Sequence, residues 1–391
     1  MTNLDFALCD ADNHYYESRD AFTRHADRKM AARCMQWATI GGKERLLVGG
    51  KVQHFIANPT FDPVARPGCL DDYHRGRTQH SDVREAFGAL EPLPRAYQDR
   101  DARLLVMDSQ GVERALLFPT LGVGMEEALK HDVEALHHAF SAFNTWLHED
   151  WGYAYRERIF AAPVIPLADP AEAVRELERV LARDARAILI RMAPVFTADG
   201  PRSLGDPIFD PFWGLAAEAG IVAAFHTGDS GYTRYSDEWE PVGNYRSFMF
   251  TAFRLLTIDR AVYDTMAALL CHGVFARFPR LRALSVENGA AWASQLLGNL
   301  RKVCKTQSAE FEGDPVETFK RHVWVSPFQE DDIESYVELL GADRVVLGSD
   351  WPHAEGLVQP MDFVADLHGQ PPTVVRRVMR ENTFELTQRM V

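Results

Sequence analysis

Eight short runs of aliphatic and β-branched residues punctuate the chain: Leu8–His14, Ala115–Pro119, Phe160–Pro166, Ala187–Met192, Ile221–His226, Arg282–Glu287, Val323–Phe328 and Val345–Asp350. Their length and composition predict strands that give way to loops at their final polar residues. Between them lie helical patterns with acidic or turn-forming openings, among them Pro170–Arg183, Asp210–Ala219 and Asp331–Leu340. Strands alternating with helices predict an α/β fold, a closed (β/α)8 TIM barrel with its functional residues at the C-terminal ends of the strands. An open doubly wound sheet uses the same elements. It would concentrate chemistry at one switch point, whereas the runs that end in a ligand-type residue are the first, fifth, sixth and eighth.

Two stretches break the repeat. Residues 28–108 separate the first strand from the second, and their turn-rich segment Asn58–Arg77 sits among Phe55, Phe61, Tyr73 and Phe87. An insertion of that length at the ligand rim reads as a lid. The second insertion, 229–270, carries Tyr232, Tyr235, Trp239, Tyr245, Phe248, Phe250 and Phe253 directly after the fifth strand. Such aromatics either wall a pocket for a bulky apolar substrate or pack as a helical layer or against a second subunit, in a homodimer or higher homo-oligomer.

The rim residues carry the chemistry. Asp10, Asp12 and His14 share one face of the first strand through its period of two, and Glu17 follows in the loop above. His226 closes the fifth run, Glu287 the sixth, and Asp350 the eighth in GSDWPH, with His353 three residues on. Asp12, His14, Glu17, His226, Glu287, Asp350 and His353 are therefore the candidate metal ligands, with Glu287 and Asp350 the candidate catalytic groups. Carboxylate and imidazole donors without thiolate suit iron or manganese, and the donor count points to a pair of iron ions, with zinc or manganese as the alternative. His272, His74 and the adjacent His137 and His138 read as structural or exposed histidines.

Composition narrows the class. At 391 residues, 46% hydrophobic and 25% charged, the chain can bury the core of one domain spanning 1–391. No run approaches the ~20 apolar residues of a membrane span. The opening MTNLDFALCD has no signal-peptide features, and Cys9, Cys34, Cys69, Cys271 and Cys304 show no CxxC spacing, so a reduced cytoplasmic protein is expected. The formal net charge of −14 argues against a nucleic-acid partner.

The Asp-x-His opening, His226, the segment GVFARFPRLRALSVENGAAW and the closing GSDWPH resemble the amidohydrolase superfamily, nearest to its branch of related decarboxylases. The resemblance implies ligand roles for Asp12, His14, His226 and Asp350. It also exposes two departures: Glu287 stands where the decarboxylases carry a histidine, and Arg191 where binuclear members carry a carbamylated lysine. A carboxylate-rich site on this barrel also resembles the nonheme diiron monooxygenases of platensimycin-type diterpenoid biosynthesis. That likeness implies hydroxylation of a bulky hydrophobic acid or its coenzyme A thioester, using dioxygen and a reductant. Arg66, Arg75 and Arg77 then either meet the carrier's phosphates or are solvated lid charges. The alternative is hydrolysis or non-oxidative decarboxylation at a metal centre.

Overall fold

The computed structural model describes residues 4–389 apart from 57, 78, 80–82, 241–250 and 329–330. Seven parallel strands follow the apolar runs: β1 (Leu8–Tyr15), β2 (Val112–Pro119), β3 (Ile159–Ala161), β4 (Ala187–Leu189), β5 (Val222–His226), β6 (Arg282–Val286) and β7 (Val323–Val325). β1, β2 and β3 pair in that order, and β4 to β7 pair in sequence. Val164 bridges Leu189 to join the two groups, and Val345 bridges Val325 to bring in the eighth run. That run returns to the first strand, where Ala11 N donates to Leu347 O at 2.8 Å, Asp350 N to Asp12 O at 2.8 Å and His14 N to Trp351 O at 2.7 Å. The eight runs thus form the (β/α)8 barrel.

Several strands are shorter than their apolar runs. β3 ends at Ala161, and its continuation is held by one bridge, Val164 to Leu189; Pro163 and Pro166 lack the N–H that a regular ladder needs. The helices begin where short polar side chains meet unpaired backbone N–H groups. Asp169 accepts from Ala171 N and Glu172 N to open Pro170–Leu181, and Gly220, with φ of 64°, ends Asp210–Ala219. The helix expected from Asp331 starts at Ile333 instead. Asp332 caps it through Ser335 N, while the Asp331 carboxylate turns to Phe328 N and Ala290 N at the barrel mouth.

The first insertion contributes an antiparallel sheet (Met35–Ile40, Lys43–Val48, Lys51–Val52) and a folded cap, and from Arg100 onward it has become the helix Arg100–Gln110 packed beside β2. The cap is fastened to the loop after the eighth run: Gly68 N donates to His353 O at 3.0 Å and Leu70 N to Ala354 O at 2.7 Å. A Cβ on Gly68 would lie 2.7 Å from Val358 N, so this contact needs glycine. Phe61 stacks on Tyr16 at 4.4 Å between ring centroids, and Tyr16 stacks in turn on His353 at 5.7 Å. Arg75 and Arg77 are in ion pairs with Asp366, Asp71 and Asp72, and Arg66 lies 3.7 Å from Glu91. Arg75 is thus held between carboxylates of the protein itself, while Arg66 and Arg77 are more than half exposed. Among the described helices none is long and apolar enough to cross a membrane.

Where the ends of the barrel meet, one carboxylate holds both. Asp10 accepts from Asp12 N (3.1 Å), Asn13 Nδ2 (3.0 Å), Ser349 N (3.0 Å) and Ser349 Oγ (2.6 Å). Burial pushes its carboxyl up to about 6, with the Ser349 and Asn13 hydrogen bonds opposing. Removing it strands four buried donors. Asp10→Ala is expected to lower unfolding free energy by about 3 kcal/mol or more, and Ser349→Ala by about 1 kcal/mol. Urea denaturation reads both, and an Asp10→Ala protein as stable as its parent would show that the closure is held elsewhere.

Candidate metal centre

Four strand ends deliver the donors. In β1 the pleat turns Asp12 and His14 to one side, and Arg103 holds the strand at Asn13 and His14. Arg103 is fully buried, donates to Asn13 Oδ1 at 2.5 Å, His14 O at 2.7 Å and Ala96 O at 2.9 Å, and lies over the Trp351 ring at 4.5 Å. Glu287 and Asp350 both stand just past strand ends in left-handed backbone, φ of 53° and 54°. For non-glycine residues this costs about 1–2 kcal/mol each. The neighbours enforce it: Asn288 Nδ2 donates to Val286 O and Phe225 O, while Gly348 leaves room for Asp12, whose Cβ would sit 2.7 Å from any Cβ there. Strained backbone of this kind concentrates at functional sites.

The side chains meet around His14 Nε2. It lies 3.0 Å from His226 Nε2, 3.3 Å from Asp350 Oδ1, 3.4 Å from Asp12 Oδ1 and 3.7 Å from Glu287 Oε2. His226 Nε2 is 2.9 Å from Glu287 Oε2 and 3.6 Å from Asp12 Oδ1, and His353 Nδ1 is 2.7 Å from Asp350 Oδ1. Donors bound at ~2.1 Å stand roughly 3.0 Å apart at octahedral corners and roughly 3.4 Å apart at tetrahedral ones. The spacing observed is that of a coordination sphere. Two donor groups emerge, Asp12 with His14 and His226, and His14 with Glu287, Asp350 and His353.

The hydrogen bonds behind the site aim lone pairs into it. His226 Nδ1 donates to Thr227 O at 2.7 Å, which leaves Nε2 as the free nitrogen of the neutral ring. Thr120 Oγ1 gives its proton to Tyr15 O at 2.9 Å and so accepts from His353 Nε2 at 3.0 Å, leaving Nδ1 as the acceptor that faces Asp350. Asp12 Oδ1 and both Asp350 oxygens are buried without a hydrogen-bond donor. Acceptors converging on one another without protons between them fit a cation.

Electrostatics agrees. Burial opposes charge on His226, but Glu287 and Asp12 outweigh it and push the imidazole up to about 10. Glu287 is held below the usual carboxylate range: burial raises it, and the His226 and His14 interactions more than offset this. Burial, then the like charges of Glu287 and Glu355, raises Asp350 well above that range. Burial with His14 beside it keeps His353 neutral. The negative potential that draws a proton to His226 is the one a divalent cation would feel.

Glu17, expected among the ligands, is turned away. Its oxygens accept from Leu121 N and Gly122 N at 2.9–3.0 Å, so it shapes the turn after β2. Glu355, two residues beyond His353, was not anticipated; burial, followed by the like charge of Glu287, pushes its carboxyl up to about 8. Its position in PHAEG was the available signal. Trp239 and Tyr235 are exposed, Tyr232 Oη pairs with Asp264, and Tyr245, Phe248 and Phe250 lie outside the described residues. Arg191 does not enter the donor set: it binds Glu127 and the carbonyls of Asp229 and Ser230.

A family model described as amidohydrolase matches residues 9–386. The chain belongs to this amidohydrolase family. It is similar to the crystal structure of amidohydrolase map2389c from Mycobacterium avium subsp. paratuberculosis K-10, with 44% identity, a TM-score of 0.93, and coverage of 99% of this chain and 100% of that one. The fold is shared with 2,6-dihydroxybenzoate decarboxylase from Rhizobium (19% identity, TM-score 0.56, covering 83% and 96%). It is shared too with 5-carboxyvanillate decarboxylase from Novosphingobium aromaticivorans DSM 12444, crystallised with manganese (14% identity, TM-score 0.59, covering 98% and 96%). A comparison with curated proteins finds no match. The family and the fold account for a metal-dependent enzyme.

The geometry separates ligands from their supports. His226→Ala and Asp350→Ala should each weaken manganese binding at least about 100-fold. Glu17→Gln should leave metal binding unchanged and lower the unfolding midpoint. Metal content after equilibrium dialysis, alongside circular dichroism, measures each; loss of metal in Glu17→Gln would return that residue to the ligand set.

Proposed function

We propose that this amidohydrolase-family protein binds one divalent cation and cleaves a bond at the carboxyl or carbonyl carbon of a small organic acid without using dioxygen, as a non-oxidative decarboxylase or a hydrolase. One observation carries this reading. His14 Nε2 belongs to both donor groups, and a single imidazole lone pair serves a single metal ion. The expected pair of irons is therefore set aside in favour of one ion held by Asp12, His14, His226 and Asp350. Oxygen and imidazole donors suit manganese, the ion in the 5-carboxyvanillate decarboxylase of the same fold, and manganese is the first cation to test.

Bound there, the cation would supply Lewis acidity to an oxygen of the substrate. The protein's own groups do the rest. Glu287 has the most exposed side chain of the set, at 16% against 1% for His14 and His226 and 9% for Asp350, so it faces the incoming substrate and serves as the proton-transfer group. Thr120 and Thr227 hold the His353 and His226 rings in register, and the stack of Phe61, Tyr16 and His353 shuts water out from the side of the cap. A nonheme diiron monooxygenase is the second reading. The carboxylate-rich set of Asp12, Glu287 and Asp350, with Glu355 adjoining, favours it.

The two differ in what they consume. Protein reconstituted separately with manganese, zinc or ferrous iron is to be assayed on aromatic and aliphatic acids, esters and amides under strict anaerobiosis. Release of carbon dioxide, or uptake of oxygen from labelled water, is the readout. One metal ion per chain and undiminished anaerobic turnover are expected, with Glu287→Gln lowering kcat about 100-fold or more at unchanged metal content. Two irons per chain and turnover that requires dioxygen and a reductant would overturn the proposal.

A further inference from the structure

Four rings run in a column from the cap to the metal centre. Phe61 lies on Tyr16 with centroids 4.4 Å apart and planes 17° apart, Tyr16 on His353 at 5.7 Å and 23°, and His353 on His14 at 3.9 Å and 29°. Phe61 and Tyr16 are each only 5% exposed, and His14 is fully buried. The inner end of the column touches the donor set: His14 belongs to it, and His353 Nδ1 stands 2.7 Å from Asp350 Oδ1. A residue of the cap thus reaches two of the proposed ligands through two intervening rings.

The cap makes this contact at a cost. Phe61 has φ of 56°, a left-handed backbone that a bulky side chain rarely adopts. A tight turn holds it there, in which Asn58 O accepts from Phe61 N at 3.1 Å and Asn58 Nδ2 donates to Pro63 O at 2.9 Å. Strain of this kind persists only where its surroundings enforce it, and it gathers at functional positions. The cap also grips the main chain of His353. Gly68 N donates to the His353 carbonyl, Leu70 N donates to Ala354 O, and Arg75 pairs with Asp366. Ring and backbone of His353 are therefore both held from the cap.

At the inner end, acceptor faces acceptor between His353 and Asp350, and a positive charge beside the carboxylate would remove that repulsion. A cation would thus fix the His14 and His353 rings as the platform on which Tyr16 and Phe61 stack. A ligand that favours one of two arrangements shifts the balance toward it, and the coupling acts equally in the other direction.

We propose that the cap and the cation site are coupled through this column: cation binding holds the cap against the loop after the eighth run, and Phe61, as a positioning residue, raises cation affinity by keeping the His353 and His14 rings in place. The coupling rests on the metal-centre reading.

Cys69 reports the state of the cap. It sits half-buried between Gly68 and Leu70, both bonded to the loop that carries His353. Its rate of alkylation by iodoacetamide, resolved by peptide mass spectrometry, is to be measured with and without manganese, with the exposed Cys271 as internal reference. Saturating manganese is expected to slow Cys69 about tenfold and leave Cys271 unchanged. Phe61→Gly removes the ring and suits the left-handed turn, while Gly68→Ala places a Cβ 2.7 Å from Val358 N and so drives cap and loop apart. Each should weaken manganese binding about tenfold in equilibrium dialysis and speed Cys69 alkylation in the manganese-bound protein, with circular dichroism as the check on folding. Unchanged manganese affinity in a folded variant whose Cys69 reacts faster, or Cys69 alkylation indifferent to manganese in the parent, would overturn the coupling. A parent that takes up no manganese sinks the metal-centre reading and the coupling together, whereas uptake without a change at Cys69 sinks the coupling alone.

Discussion

The seam between the first strand and the last run is the constraint on which the site depends. Asp10 receives four hydrogen bonds there, two of them from Ser349 across the seam, and backbone bonds from Ala11, Asp350 and His14 continue the pairing. Only this seam brings Asp12 and His14, near the start of the chain, against Asp350 and His353, near its end. A buried carboxylate is costly unless fully bonded, and here its bonding is also what closes the barrel. Arg103 does the complementary work outside the strand, replacing water for the carbonyls of His14 and Ala96 and stacking on Trp351. The two groups hold the same few residues of backbone from opposite faces.

That rigidity explains how strained backbone persists at Glu287 and Asp350. Each occupies the left-handed region at a cost that a flexible loop would relieve. Asn288 ties the first turn to two strands, and the packing of Gly348 against Asp12 and Ser326 confines the second. The outcome is a set of carboxylate and imidazole acceptors forced toward one point, with acceptor facing acceptor at Asp350 and His353. Folding energy from the rest of the barrel is stored there as electrostatic tension, which a cation bound among them would relieve.

Two walls then define access. On one side the cap carries Phe61 onto Tyr16 and Tyr16 onto His353, so the cap is continuous with the donor set rather than draped above it. On the other side Arg191 anchors the loop after β5 beside His226, with Glu127 as its partner. The position at which related binuclear enzymes would hold a lysine thus has a structural task here. The aromatic insertion, by contrast, leaves Trp239 and Tyr235 facing outward.

Much of this was legible in the sequence, because strand burial and strand-end polarity are local properties. The alternation in Leu8–His14 gave the shared face of Asp12 and His14, and the polar residues closing the runs at His226, Glu287 and Asp350 pointed to the rim. Other features had no local signature. Glu17 sits next to the ligand pair in sequence, yet its oxygens are taken by Leu121 and Gly122, more than a hundred residues away. The arginines of the cap looked available until folding brought Asp366 to Arg75. That His14 belongs to both donor groups was likewise invisible, since it depends on how the strand ends converge in space. The sequence by itself determined which residue types arrive at the rim, because pleat and strand end are set over a few residues. Only the tertiary structure decided which of them remain unpaired there, because that depends on every donor the closed barrel brings within about 3 Å.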